Sequence, residues 1–331
     1  MPAPGGKVKC TVRRVWLLIA LVLAGLTGCA AAPPAPVPPN LHGQIAFISE
    51  QHTQVFGVSV DVAYGLYVLD LDTPDASRFV IAPADDYLAS PTWSPAGDRL
   101  LLYRNTYDRD QGYIRRIILA DAQPPHQQEP FIDAWIGLGP AWSPDGALVA
   151  CVSGDAINVY DAVSRSLVEV LETPGTVSDL TWSPDSRSIA FEYTPVPTTT
   201  GGIAIMSVTG AGFTQLTFES GDRSPAWSAD DCIAFVREGD IYVIDAAGGD
   251  VTRLTHDGYT TSPAWSPDAQ KIAFVSSRDE KCGDGFADRA PFCTNALYVM
   301  NADGSDIQRL RQAREHIWTS VWGPPAPSPE L

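Results

Sequence analysis

The chain has 331 residues, 45 % hydrophobic and 18 % charged, a composition that supports a packed core and excludes bulk disorder. Its formal net charge of -17 excludes nucleic-acid binding, because nothing here neutralises a row of phosphates. Acidity of this kind also serves solubility alone, so it singles out no partner.

The first element is a targeting segment. Lys7, Lys9, Arg13 and Arg14 make a basic start, and residues 15–26 form an apolar run too short to span a bilayer. The run ends in Leu26-Thr27-Gly28-Cys29, which resembles a bacterial lipobox. Residues 1–28 are therefore expected to be a lipoprotein signal peptide, cleaved before Cys29, whose thiol takes the lipid; an ordinary signal peptide with an incidental Cys29 is the alternative. Ala30 rather than Asp follows, so the usual inner-membrane retention signal is missing. The expected location is extracytoplasmic and membrane-anchored. Residues 29–40 are proline-rich and uncharged, an extended spacer reaching on the order of 30 Å. A second proline-rich stretch, residues 324–331, forms a tail.

Between them the chain repeats itself. PTWSPAGDRLLLYR at Trp93, PAWSPDGALVACVS at Trp142 and LTWSPDSRSIAFEY at Trp182 are followed by PAWSADDCIAFVRE at Trp227 and PAWSPDAQKIAFVSSR at Trp265. A degenerate copy, SVWGPPAP, carries Trp322. The tryptophans recur every 38 to 57 residues, a period that signals a repeat architecture. After each apolar run comes a second one, as in LYVLD from Leu66 or IYVID from Ile241, and then a short TQLT or TRLT stretch. Four short β-rich runs per unit, bounded by Gly, Pro, Asp and Ser and without helical periodicity, predict an all-β, six-bladed β-propeller of four-stranded blades. The sixth tryptophan strand has no apolar strand after it. GQIAFIS, from Gly43, is that strand without a tryptophan strand before it. The N-terminal strand is thus expected to pair with the C-terminal one and close the ring over residues 41–323.

The Ser-Pro-Asp-Gly step fits a type I turn: Ser at the first position, Pro at the second, Gly tolerated at the last. Asp145, Asp185, Asp230 and Asp268 then mark one place in different blades and stand too far apart for a catalytic pair. Residues 301–306 and 245–250 read as outer turns rather than calcium loops, lacking the twelfth-position glutamate.

The consensus PAWSPDGxxIAFVS, IYVMDxDG, xRLT resembles the TolB-type β-propeller repeat family. The resemblance implies a six-bladed propeller of the cell envelope that binds other proteins, here as a lipid-anchored form without the family's N-terminal domain. The expected role is a protein-binding or assembly scaffold without catalysis or cofactor. Its partner would be an envelope protein or a peptidoglycan-associated one, and the ring is expected to be monomeric. A propeller hydrolase or lyase with a channel-centred site is the alternative. No G-x-S-x-G nucleophile elbow occurs in the sequence, and paired axial carboxylates are not apparent.

In such propellers the tryptophan strand lines the channel. Three residues before each tryptophan stand Ser90, Gly139, Asp179, Ser224, Ser262 and Thr319, a small polar ring with one carboxylate and no metal cage. The loops entering these strands carry Tyr87, Asp222, Arg223, Tyr259, His316 and Trp318. These six, with Asp179, are the candidate binding rim, being rich in residue types favoured as binding anchors. Insertions at residues 50–64 and 282–293 are expected to project on one side of the disc as loops. Cys282 and Cys293 bound the second and are expected to bridge in an oxidising envelope, two free thiols or a weak metal pair being the alternatives. Cys151 and Cys232 lie in apolar runs and read as buried thiols.

Overall fold

In a computed structural model, residues 41–55, 58–72, 77–84, 86–132, 139–196, 200–279, 295–312 and 316–325 are described. The leader, Cys29, the spacer, the 282–293 segment and most of the tail lie outside them. Every element among the described residues is a β-strand. Three strands begin the chain: β1 (Gln44–Val55), β2 (Val58–Asp70) and β3 (Ser77–Ala84). Blade 2 is β4 (Tyr87–Trp93), β5 (Arg99–Asp108), β6 (Gly112–Asp121) and β7 (Gln128–Ile132). Blade 3 is β8 (Ala141–Trp142), β9 (Leu148–Ser153), β10 (Ala156–Asp161) and β11 (Leu167–Glu172). Blade 4 is β12 (Gly175–Trp182), β13 (Ser188–Pro195), β14 (Gly202–Ser207) and β15 (Thr214–Gln215). Blade 5 is β16 (Arg223–Trp227), β17 (Cys232–Arg237), β18 (Asp240–Asp245) and β19 (Thr252–Arg253). Blade 6 is β20 (Thr260–Trp265), β21 (Lys271–Ser276), β22 (Ala296–Asn301) and β23 (Gln308–Gln312). The last strand, β24 (His316–Gly323), joins β1, β2 and β3 as the innermost strand of blade 1.

The closure is antiparallel, with Ile45 opposite Trp322 and Ile48 opposite Thr319. N-terminal and C-terminal strands thus complete one blade, as the sequence bookkeeping requires. Gly43 is a point of close approach: at φ +100° its absent Cβ would fall 2.7 Å from the Gly323 carbonyl oxygen.

The unbroken IAFV runs follow from the packing. A blade inside a ring is buried on both faces, so alternate residues serve opposite junctions. Ile45 and Phe47 pack with Val275 and Leu297 between blades 6 and 1. Ala46 and Ile48, on the other face, pack with Leu100 and Leu102 between blades 1 and 2. The described apolar residues form six such clusters, one at each junction.

The tryptophans act at these junctions, and each indole N–H finds an acceptor. Trp93, Trp182 and Trp265 donate across the blade boundary to the carbonyls of Val321 (3.3 Å), Ala141 (2.9 Å) and Ala226 (3.1 Å). Trp322 donates to the His42 carbonyl at 3.0 Å and pins the entering chain. Trp142 and Trp227 instead donate within their own turns.

The Ser-Pro-Asp steps are turns. The Gly146 N–H donates to the Ser143 carbonyl at 2.9 Å, and Ser143 Oγ donates to Asp145 Oδ1 at 2.7 Å. Asp185 and Asp268 accept from Ser183 and Ser266 at 2.6 Å. These hydroxyl bonds, then backbone N–H donors, hold all three carboxyls below their ordinary range.

Two expectations change. Residues 50–55 and 58–64 are not a loop; they lengthen β1 and β2, because strand pairing continues to Val55 opposite Val58. Cys232 is disulfide-bonded rather than a free thiol, its partner lying outside the described residues. Cys151 is the buried free thiol expected, and burial pushes its pKa up to about 12.

Candidate functional site

Each tryptophan strand runs from one face of the disc to the other. The face carrying the Ser-Pro-Asp turns is the turn face. The opposite one, where tryptophan strands begin, is the loop face. The six inner strands surround a cavity of 480 Å³, and Ser90, Gly139, Asp179, Ser224, Ser262 and Thr319 all line it.

Five of the six share a backbone conformation that composition did not reveal. Ser90 (φ 50°), Gly139 (78°), Asp179 (45°), Ser224 (52°) and Ser262 (50°) are left-handed. In blades 2, 4, 5 and 6 the pairing register shifts at this point. These are β-bulges, which bend a strand and re-aim a side chain. Glycine takes the conformation freely, and Ser and Asp tolerate it at a cost of about 1 kcal/mol. Thr319, β-branched, escapes it; the bulge of β24 falls one residue earlier, at Trp318. The ring residues are thus small because the channel is narrow and the backbone is twisted there.

Asp179 stands exposed in the channel and accepts from Ser224 Oγ at 3.0 Å. Behind it, half-buried on β13, is Glu192, whose backbone pairs with Ser178. Burial, and after it the Asp179 charge, raises the Glu192 carboxyl above its ordinary value, while a Ser178 hydrogen bond and the Arg223 charge oppose this. Sequence reading missed Glu192, although a signal existed. The equivalent place in the other blades holds Ile48, Tyr103, Val152, Val236 and Val275. Blade 4 therefore carries both departures from the repeat, on adjacent strands.

The rim candidates divide. Tyr87, Asp179 and Trp318 line the cavity. Burial, then the Asp179 charge from two blades away, raises the Tyr87 phenol. Tyr87 stacks edge-on with Tyr64 at 5.2 Å and with Tyr103 at 6.3 Å. Trp318 packs edge-on with His316 at 4.8 Å and donates its indole N–H to Glu50 Oε2 at 2.6 Å. Tyr259 is 60 % exposed beside this mouth, and Arg223 acts on Glu192.

Asp222 does not reach the rim. It is buried, and both its oxygens accept from Arg237, at 2.6 and 2.7 Å. The Arg237 guanidinium lies over the rings of Phe235 and Tyr242, 5.4 and 5.1 Å from their centroids. The same clamp recurs elsewhere. Arg278 lies over Phe274 and Tyr298 and pairs with Asp257 at 2.9 Å, while Arg104 pairs with Asp86. In each case an arginine on a second strand or just past it holds the acid of the loop entering a tryptophan strand. Asp222 therefore fixes the loop that presents Arg223.

Among the described residues no group of three or more His, Cys, Asp or Glu is placed to hold a metal ion. The site offers hydroxyls, the Asp179 carboxylate with Glu192 on the adjacent strand, and an aromatic mouth, a set suited to gripping a polar or peptide group.

The geometry defines a closed six-bladed propeller with a polar channel. Among solved structures the chain is similar to TolB from Acinetobacter baumannii, with 21 % identity over 88 % of this chain and 69 % of that one, TM-score 0.66. It is also similar to a putative TolB from Agrobacterium tumefaciens, with 21 % identity over 82 % and 90 %, TM-score 0.57. A chain of a nidogen/laminin complex has 10 % identity over 84 % and 98 %, TM-score 0.62. At these identities the likeness establishes the fold, the TolB-type propeller that the repeat resembles. No family model and no curated protein matches the sequence.

Proposed function

We propose that the chain is an extracytoplasmic lipoprotein, anchored through Cys29, whose propeller docks an envelope or peptidoglycan-associated protein over the loop-face mouth of the channel. One observation carries this reading. Among the described residues, the exposed aromatics Tyr87, Tyr107, Tyr113, Phe218, Tyr259 and Trp318 all stand on the loop face. Aromatic anchors around a rigid polar pocket are the makings of a protein hot spot. The chain enters blade 1 at the turn face, where Gln44 pairs with Gly323 and Asp70. A tether on that side turns the loop face away from the bilayer. The fold likeness to TolB supports a scaffold rather than a catalyst.

Two measurements test this. Metabolic labelling with palmitate should mark the protein, and Cys29→Ala should remove both label and membrane association. Pull-down of envelope partners should fail with Asp179→Lys or Arg223→Glu; unchanged recovery from both variants refutes the channel mouth as the site.

The Asp179–Glu192 pair favours a second reading, a channel-centred hydrolase or lyase. A carboxyl with a raised pKa beside a second carboxylate resembles an acid–base pair. Turnover of any substrate by purified protein, lost on Asp179→Ala, would establish it.

A further inference from the structure

An outer strand is the exposed edge of each blade, an open template for another strand, and proteins guard such edges with proline, charge or brevity. Among the described residues, five of the six outer strands are guarded by proline, brevity or basic charge. β3 contains Pro83 and β7 contains Pro130. β15 and β19 are two residues long. β23 carries Arg309 and Arg311. The sixth, β11, reads Leu-Val-Glu-Val-Leu-Glu over six residues, without proline, lysine or arginine; its charges are Glu169 and Glu172, which guard it against an acidic strand and not against a basic one. It leaves Leu167, Val168 and Val170 51, 55 and 39 % exposed. Its bulge, at Val168, leaves Glu169 to Glu172 in regular pairing with β10.

We propose that β11 is a docking edge, to which a partner protein adds an extended segment of alternating apolar and basic residues as a fifth strand of blade 3. Main-chain hydrogen bonds would supply affinity and the alternate side chains specificity. Charge decides the occupant. β11 brings Glu169 and Glu172 and no cation, and the whole chain carries -17. A second copy brings the same two glutamates and the same net negative charge, with no cation on its edge to offset them. The neighbouring Arg165 is already spent on Glu129 and on the Pro130 carbonyl. A strand that sets lysine or arginine opposite Glu169 and an apolar residue opposite Val170, its neighbour on the other face, would match the regular stretch. This edge lies on the rim of the disc, apart from the channel mouth, so it stands or falls separately from the proposed function.

The test uses the purified protein and a fluorescent peptide, Thr-Lys-Val-Lys-Val-Lys-Thr, followed by anisotropy. Saturable binding is expected, with amide shifts in Leu167–Glu172 by NMR. N-methylation of alternate peptide amides should weaken it by about tenfold or more, since a strand cannot then add. Val170→Pro should do the same. Should that variant fold poorly, Val170→Lys keeps the backbone and sets like charges together. Equal binding of the N-methylated peptide, binding unaffected by both Val170 variants, or amide shifts confined to the channel would overturn the proposal. So would absence of binding together with a dimer, seen by sedimentation, that Val170→Lys dissolves.

Discussion

The turn face and the loop face are made by the same strands, yet they obey different rules. On the turn face the five Trp-Ser copies share one job. The serine hydroxyl accepts a backbone N–H where the next strand begins, as Ser143 does from Leu148, and in blades 3, 4 and 6 it also donates to an aspartate two residues on. The exposed large hydrophobics at that end are aliphatic, Val163, Leu167, Val251 and Ile307. On the loop face the copies diverge in length and composition, and the exposed aromatics gather there. Repetition is retained where the chain must turn and close-pack, and released where a surface can differ between blades. The Asp–Arg clamps mark the boundary: they repeat, but they hold in place residues that do not.

Substitutions should separate the two regimes, and the largest effect belongs to the junctions. Trp182→Ala, removing a buried indole and its bond to blade 3, should cost about 3–5 kcal/mol in urea denaturation. Tyr259→Ala on the loop face, 60 % exposed, should cost less than about 0.5 kcal/mol. Next comes the clamp. Asp222→Ala strands the stacked Arg237 without its carboxylate and should cost about 3 kcal/mol, whereas Arg223→Ala one residue on should leave stability nearly unchanged.

Smaller effects carry pH signatures of opposite sign. Glu192 has a raised folded pKa, so its charged form opposes folding at neutral pH. The stability it contributes is complete in acid and lost as pH rises through the raised value. Glu192→Gln should therefore stabilise the protein by less than about 1 kcal/mol at pH 7, and the gain should vanish below about pH 4. Asp145 is the reverse. Its lowered folded pKa adds stability above the ordinary value of 3.8, and that stability is lost as pH falls through the lowered one. Asp145→Asn should destabilise by less than about 1 kcal/mol at pH 7, with the deficit closing in acid. Thermal melts from pH 2 to pH 8 check both.

The fold was legible because its determinants are local and repeated. A tryptophan, a Ser-Pro-Asp turn and an unbroken apolar run each have one good solution, and the orphan GQIAFIS strand dictated the closure. The channel ring was legible by counting back from the tryptophans, since a strand's faces alternate. The left-handed bulge was not, because it depends on how six strands crowd one axis; Gly139 was the sole hint. Glu192 was readable as a charge in an apolar column. Asp222 looked like a rim residue because its partner, Arg237, lies fifteen positions away on the next strand, and only the register brings them together. The extension of β1 and β2 through residues 50–55 and 58–64 also depended on pairing that composition does not specify.

The division between the faces is tested most directly by site-specific photocrosslinking in living cells. A photoreactive residue would be placed at Tyr259 or Trp318 on the loop face, and at Asp185 or Ala247 on the turn face. A discrete protein adduct from the loop-face positions, and none from the turn-face ones, is the expected result. Adducts from the turn face alone would contradict the account.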